Sequence, residues 1–115
     1  ASKGYVIGVD AGRSQIRALC SDLLGEHVAS VKKDNNFEKG GEYLYEQIEH
    51  TLFDVIGESN ISKDNIECIC IGLPGIRDED KKINKLAPFI DNWENIDVSG
   101  RIREKIKFDN ILSDK

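Results

Sequence analysis

The sequence predicts a single α/β domain with the element order β-β-β-α-β-α-β, and two patterns predict it. Over residues 5–32, apolar and polar residues alternate, which is typical of strands with one buried face. Beyond residue 41, segments with apolar residues three or four positions apart alternate with short apolar runs, as in helices that connect buried strands. A chain of 115 residues is long enough for one such domain with a modest core.

The individual elements follow from these patterns. The five strands of this order are predicted at 5–10, 15–21, 27–32, 66–71 and 110–113, its helices at 42–57 and 98–106, and an additional short strand at 83–85. The longer helix is predicted because Leu44, Ile48 and Leu52 recur at helical spacing. The charged stretch 77–82 is expected to be a solvated turn.

The strand at 66–71 is almost continuously apolar, which is typical of a strand buried on both faces. Its Cys68 and Cys70 share one face of the strand, but two thiolates are too few for a zinc site, so we expect both to pack in the core. With Cys20 they make three cysteines, an odd number that argues against a disulfide framework and favours a reduced, cytoplasmic setting.

Charge and composition exclude several classes of function. The net charge is -5 and the pI is near 5.0, so this stretch has no basic surface for nucleic acid, and any DNA binding would belong to another domain. No run of 18 apolar residues is present, so no membrane partner is expected. The chain contains no Met, from which we expect it to be a fragment of a longer protein.

The most informative motif lies between the first two predicted strands. It reads Asp10-Ala11-Gly12-Arg13-Ser14, an acidic residue at a strand end followed by a tight turn. Glycine lets backbone amides approach a bound anion, and an aspartate can hold a hydrated Mg²⁺ beside phosphate oxygens. Asp10, Gly12, Arg13 and Ser14 are therefore predicted to bind phosphate or nucleotide, with Asp10 also holding Mg²⁺ through water. The simpler alternative is that Asp10 only caps the turn.

This motif resembles the first phosphate loop of the sugar kinase/Hsp70/actin superfamily. Two later segments, Ile71-Gly-Leu-Pro-Gly75 and the Ala-Pro that precedes Trp93-Glu-Asn95, are similar to the ROK family of bacterial repressors and sugar kinases. The resemblance implies a ribonuclease-H-like lobe of the actin-like ATPase architecture, in which nucleotide lies between two lobes. Residues 1–115 would then be one lobe of a longer ROK-type protein and would catalyse nothing alone.

The chain departs from the kinase pattern of this family in two of its binding segments. Kinases usually read D-x-G-G-T-K at the first loop, whereas this chain has Arg13 at a glycine position, and Ser14 keeps the hydroxyl. Arginine can itself grip a phosphate bidentately. The sugar-binding Asn of the family's A-P-N corresponds to Phe89, which can stack on a sugar but not replace an amide, although Asn92 is nearby. Gly75 is a third predicted sugar-binding residue, with a purely turn-forming role as the alternative.

The predicted catalytic residue lies at the end of the chain. The kinases of the family carry a general base about twenty residues after the Trp, and Asp114 matches it if one deletion is allowed. Alignment without a gap places Lys115 there, and a lysine cation is a poor base near neutral pH. The two alignments remain open.

Two functions are therefore expected from the resemblance. The first is the sugar-sensing part of a ROK transcriptional regulator, which binds a sugar or sugar phosphate and contacts DNA only through a domain outside this chain. The second is the N-terminal lobe of a ROK hexose kinase, in which ATP and Mg²⁺ would be the cofactors and Asp114 the base. The departures at Arg13 and Phe89 favour the regulator. In either case the family implies a homo-oligomer of the full-length protein.

Overall fold

A computed structural model of the protein describes residues 4–72, 76–78, 83–85, 96–106 and 111–114. In chain order the elements are β1 (Tyr5–Ala11), β2 (Gln15–Asp22), β3 (His27–Asp34), α1 (Gly41–Ser59), β4 (Ile66–Gly72), β5 (Ile76–Asp78), β6 (Ile83–Lys85), α2 (Val98–Ile106) and β7 (Ile111–Asp114). Single turns of 3₁₀ helix, Phe37–Lys39 and Lys63–Asn65, precede α1 and β4. For the main sheet and its two helices the predicted order β-β-β-α-β-α-β is confirmed, with bounds that differ by one or two residues. The short strand predicted at 83–85 is β6, and β5 was not predicted.

The main sheet has five strands in the order β3-β2-β1-β4-β7. The first three strands form an antiparallel meander, and β4 and β7 then add in parallel beside β1. The short strands β5 and β6 form a separate antiparallel hairpin. The prediction of a turn through 77–82 is therefore wrong in part, because Arg77 and Asp78 belong to β5. Their backbone pairs with β6, and such pairing is not visible in a run of charged residues.

Both helices lie on one face of the main sheet. The connections β3-α1-β4 and β4-α2-β7 cross the sheet in the same direction between parallel strands, and right-handed crossovers of this kind place their helices on the same side. We call the helix-covered side the inner face and the opposite side the outer face. One cluster of buried residues joins the inner face to both helices: Ile7, Val9, Ile16, Ala18, Cys20, Ile69 and Ile71 from the strands, Leu44, Ile48, Leu52, Val55, Ile102 and Ile106 from the helices, and others around them.

Helix α1 forms because its apolar residues recur on the side that meets the sheet. The predicted positions Leu44, Ile48 and Leu52 are all fully buried. The helix begins after Gly40, whose φ of 93° is a conformation that favours glycine. It ends at Asn60, which adopts the left-handed conformation and donates its backbone N–H to the Gly57 carbonyl.

The expectation that β4 is buried on both faces is wrong. Ile69 and Ile71 lie in the core, but Cys70 is exposed and Cys68 is half-buried, because both are on the outer face. Their Sγ atoms are 3.7 Å apart. The pKa of the Cys68 thiol is raised, mainly because the thiol is partly buried and to a lesser extent because of its contact with Cys70. The apolar sequence of β4 therefore provides one buried face and one open face that is also apolar.

The two helices are joined by a bidentate ion pair. The two terminal guanidinium nitrogens of Arg101 on α2, Nη1 and Nη2, donate to the Glu42 carboxylate on α1 at 2.8 and 2.9 Å. The same guanidinium lies 5.0 Å from the ring centroid of Tyr45. The hydrogen bond from Arg101 holds the pKa of Glu42 below its ordinary value. The pKa of Tyr45 is raised to about 12, mainly by burial and to a lesser extent by the negative charge of nearby Glu49.

Replacement of Leu52 by alanine should destabilise the domain strongly. Leu52 is fully buried between α1 and the sheet, so Leu52→Ala leaves a cavity and should lower the free energy of unfolding by about 2–5 kcal/mol. The matched control is Phe53→Ala on the same helix, where the side chain is 38% exposed and the expected loss is about 1 kcal/mol or less. Urea denaturation measures both, and equal losses would contradict the predicted orientation of α1.

The Glu42–Arg101 pair should make stability depend on pH. The folded state lowers the pKa of Glu42 from its ordinary 4.5, so the pair's contribution is fully present above that pH and is lost as the pH falls through the lowered folded-state value. The wild type should therefore lose its advantage over Glu42→Gln between pH 7 and pH 3, an advantage kept small by solvent screening. Urea midpoints measure it, with Glu46→Gln on the same helix as control. An advantage that does not change with pH would be inconsistent with the pair.

Candidate functional site

The loop between β1 and β2 is held by its own backbone. The Gly12 N–H donates to the Gln15 carbonyl at 2.9 Å across the turn. A Cβ atom on Gly12 would lie 2.9 Å from that same carbonyl oxygen, closer than real Cβ atoms tolerate, so the tight turn requires glycine. Arg13 and Ser14, at the tip, are exposed. The predicted phosphate loop is thus a rigid turn that presents two polar side chains to solvent.

A residue that the sequence analysis missed, Asn35, fastens this loop from behind. Its side-chain amide donates to the Gly12 carbonyl at 2.7 Å, and its backbone N–H donates to the Ser14 carbonyl at 2.9 Å. Asn35 is only 8% exposed, and its buried Oδ1 has no hydrogen-bond partner in the part of the chain that the structure describes. In the sequence it is one polar residue in a polar stretch after β3, and no local signal distinguishes it from its neighbour Asn36.

Asp10 lies on the outer face, at the end of β1. The sheet register pairs it with Arg17 of β2 on one side and with Gly72 of β4 on the other. The Asp10 Oδ1 atom is 3.5 Å from the position that a Cβ on Gly72 would take. Because glycine has no side chain, the Asp10 carboxylate has open space beside it.

The sheet register also brings the predicted base to the same edge. Gly72 pairs with Asp114 of β7, so Asp10, Gly72 and Asp114 occupy one row across three adjacent parallel strands. Strands in a sheet are about 4.8 Å apart, which puts the backbones of Asp10 and Asp114 roughly 10 Å from each other. Lys115, the alternative match, lies outside the described residues.

The structure therefore brings together only part of the predicted site. Asp10, Gly12, Arg13, Ser14 and Asp114 all lie at the carboxyl ends of β1, β4 and β7 or in the adjoining loop. The three predicted sugar-binding residues, Gly75, Phe89 and Asn92, lie outside the described residues.

Two cations continue the row on the other side of Asp10. Asp10 of β1 pairs with Arg17 of β2, and Arg17 pairs in turn with Lys32 of β3, so the three residues form one row across three neighbouring strands. A guanidinium nitrogen of Arg17 donates to Gln15 Oε1 at 3.3 Å, which ties it to the base of the loop. This edge of the outer face thus carries one acidic residue beside two basic ones. Basic side chains bind phosphate, so the edge suits a ligand that carries phosphate.

The residues at this edge fit a phosphate-bound Mg²⁺ but not a metal held by protein alone. Among the described residues there is no group of three or more His, Cys, Asp or Glu side chains that could hold a metal ion. Mg²⁺ commonly keeps several waters and is bound by one or two carboxylates together with substrate phosphates. The exposed Asp10 carboxylate, with open space above Gly72, can supply one such ligand.

Structural comparison identifies the class of fold. A ROK family glucokinase from Streptomyces griseus, solved with glucose and AMPPNP, matches with a TM-score of 0.74 and 20% identity, over 96% of this chain and 32% of that chain. A ROK family transcriptional regulator, a homologue of the E. coli MLC protein, matches with a TM-score of 0.76 and 14% identity, over 96% and 27%. A Bacteroides thetaiotaomicron protein of actin-like ATPase fold and unknown function gives 0.54 and 9%, over 97% and 33%. The chain has the actin-like ATPase fold of the sugar kinase superfamily.

Sequence comparison with family models gives the particular family. The ROK family model matches residues 6–114, nearly the whole chain, and the chain belongs to the ROK family. No curated protein matches it. The chain spans 27–33% of the length of the three solved structures described above. None of the helices that the structure describes is both long and apolar enough to cross a membrane.

Loss of the Asn35 side chain should loosen the phosphate loop. Asn35→Ala removes the hydrogen bond to the Gly12 carbonyl, which should lower the free energy of unfolding by about 1 kcal/mol and speed amide exchange at Gly12. Asn36→Ala is the adjacent control, because Asn36 is exposed and its side chain accepts from the nearby Glu38 N–H. Hydrogen exchange by NMR measures the difference. Unchanged exchange at Gly12 in Asn35→Ala would show that the turn holds itself.

Proposed function

We propose that this chain is the sugar-sensing lobe of a ROK-family transcriptional regulator. It binds a sugar or sugar phosphate at the carboxyl edge of β1, β4 and β7, in a cleft completed by a second lobe. Closure of the two lobes on the ligand changes the affinity of a separate DNA-binding domain. The observation that carries the proposal is the composition of the phosphate loop, with the exposed Arg13 at its tip.

The loop supports sensing better than phosphoryl transfer. Kinases of this family have glycine where this chain has Arg13, and a glycine leaves space for the phosphates of ATP. The exposed Arg13 brings a guanidinium to that position, at the tip of a turn whose geometry Asn35 supports. A guanidinium binds phosphate bidentately, so it suits an anionic ligand that is bound and later released.

Ligand binding would act by a population shift. A sugar that binds the closed arrangement ten times more tightly than the open one shifts the equilibrium by about 1.4 kcal/mol. A few hydrogen bonds made only in the closed state suffice, since each contributes about 0.5–1.5 kcal/mol. A sensor therefore needs the positioned polar groups of this edge and no catalytic base.

The second candidate is a ROK hexose kinase, and a different observation favours it. Asp10 and Asp114 share one row with Gly72 between them, so the two acidic residues lie at one edge of the sheet. Asp114 would then accept the proton of the sugar hydroxyl, and Asp10 would hold Mg²⁺ through water. When bound, Mg²⁺ neutralises charge on the phosphate oxygens as the phosphoryl group is transferred.

The cysteines and the net charge of this chain support proposals about its cellular compartment and its partners. All three cysteines are free thiols, one buried and two on the outer face, which fits a reducing cytoplasm. A net charge of -5 on this lobe leaves DNA contacts to a domain outside residues 1–115. We also propose that the full-length protein is a homo-oligomer, because a symmetric regulator matches a symmetric operator.

The full-length protein should bind a sugar without consuming ATP. Calorimetry with a panel of hexoses, amino sugars and their phosphates should show binding of at least one, and a coupled assay for ADP should show no hexose-dependent release. Arg13→Gly should weaken binding of a phosphorylated ligand about tenfold, since one charge-assisted contact contributes about 1.5–3 kcal/mol.

Steady hexose-dependent ADP release would refute the regulator proposal and support the kinase. In that case Asp114→Asn should reduce the turnover by about a hundredfold or more through loss of the general base. Asp64→Asn, an exposed aspartate before β4, is the control and should leave turnover unchanged.

A further inference from the structure

The two helices enclose a groove on the helix-covered side of the domain. Its volume is about 470 Å³, and within the described residues its lining comes from α1 and α2 alone. On each helix the lining residues recur three or four positions apart, so one stripe of α1 faces one stripe of α2. The candidate site lies on the outer face of the sheet, so the groove and the site share no residue.

Two ion pairs cross the groove, and one of them is loose. Arg101 makes the bidentate contact with Glu42, at 2.8 and 2.9 Å. Lys105 Nζ lies 3.4 Å from the Glu49 carboxylate, and the lysine side chain is 58% exposed whereas that of Glu49 is 13% exposed. An exposed ion pair of this length contributes little to stability, so another cation can replace Lys105 beside Glu49 while the bidentate pair still joins the helices.

Negative charge remains in excess after these two pairs are formed. Glu46 on α1 and Glu104 on α2 also line the groove, and neither forms an ion pair with a described residue. The groove thus holds four carboxylates and two cations. Charges of one sign in a cleft between low-dielectric walls raise the local concentration of the opposite ion. The groove therefore attracts a cation.

The groove also contains a buried hydroxyl without a partner. Tyr45 is only 4% exposed, and its hydroxyl oxygen is buried with no hydrogen-bond partner in the part of the chain that the structure describes. Burial raises the pKa of Tyr45 to about 12, and the charges that act next on the hydroxyl, from Glu49 and then Arg101, both belong to the groove. The hydroxyl is therefore directed towards the groove. A buried polar group without a partner costs stability, and a ligand that supplies a donor removes that cost.

The donors of the groove suit an organic ammonium ion better than a metal ion. Among the described residues there is no group of three or more acidic, His or Cys side chains that could hold a metal ion. A primary ammonium group has three N–H donors, so it can contact the neutral Tyr45 hydroxyl and two carboxylates at the same time. The unpaired carboxylates Glu46 and Glu104 lie on opposite walls, and a molecule with two ammonium groups can reach both.

We propose that the groove between α1 and α2 binds an aliphatic polyamine. One ammonium group displaces Lys105 from Glu49 and donates to the Tyr45 hydroxyl oxygen. The same group contacts the carboxylates of Glu49 and Glu104, and a second ammonium group contacts Glu46. The bidentate ion pair between the helices stays in place. This site is independent of the carboxyl edge of the sheet and holds for a sensor and for a kinase alike.

Tyr45→Phe tests the proposal directly, because it removes the hydroxyl and changes no charge. Calorimetry of the full-length protein with putrescine should show binding, and Tyr45→Phe should weaken it about tenfold through loss of one charge-assisted hydrogen bond. Without ligand, the urea midpoint of Tyr45→Phe should equal or exceed that of the wild type, because the variant no longer buries an unpartnered hydroxyl. Glu58→Gln, an exposed glutamate of α1 outside the groove, is the control and should change the affinity less than about twofold.

A second variant should change the affinity in the opposite direction. Lys105→Gln removes the cation that competes with the ligand for Glu49, so putrescine should bind about fivefold more tightly. Lys39→Gln removes the same charge from an exposed position outside the groove, and it should alter the affinity less than about twofold. Butylamine, which has one ammonium group, should bind about tenfold more weakly than putrescine because it cannot contact both walls.

Several outcomes would overturn the proposal. Putrescine that fails to bind at millimolar concentration refutes it, and so does binding that Tyr45→Phe leaves unchanged, which would be attraction to the acidic surface in general. A lower urea midpoint of ligand-free Tyr45→Phe would show that water already satisfies the hydroxyl. A lysine-rich peptide is titrated in parallel. If the peptide binds and putrescine does not, and Tyr45→Phe weakens the peptide, the groove belongs to a basic protein segment and a free polyamine is refuted.

Discussion

The parallel pairing of β1 with β4 is the constraint on which the rest of this structure depends. It joins strands that are far apart in the chain and makes β1 the centre of the sheet, with the meander on one side and β7 on the other. Its register aligns Asp10 with Gly72 and thereby leaves space beside the carboxylate. A shift of one residue would turn Asp10 towards the helices, because side chains alternate between faces. The site exists only in this register.

The same strands pack against the helices with one face and carry the candidate site on the other. On β1, Ile7 and Val9 belong to the core, and Gly8 and Asp10 alternate with them on the outer face. The inner face is closed by two helices, which the Glu42–Arg101 pair joins. The outer face carries the row of charged residues Asp10, Arg17 and Lys32. The candidate site thus lies on a surface whose stability comes from packing on the opposite face.

The fold does not decide between a regulator and a kinase. The glucokinase and the regulator match this chain with TM-scores of 0.74 and 0.76, so both activities are compatible with the same lobe. The difference between a regulator and a kinase depends on individual side chains at the carboxyl ends of β1, β4 and β7. The most important of them is Arg13, at the tip of the turn between β1 and β2. The two proposed functions rest on different residues, the regulator on Arg13 and the kinase on Asp114.

The sequence by itself determined the order of strands and helices in the main sheet and the position of the turn between β1 and β2, because hydrophobic period and turn residues are local signals. Only the tertiary structure decided the environment of Cys70, since an apolar strand looks the same whether helices cover one face or two. It also decided the role of Asn35, whose partner is 23 residues away, and the alignment of Asp114 with Asp10. These depend on which strands become neighbours, and the local pattern of a strand carries no information about its partner.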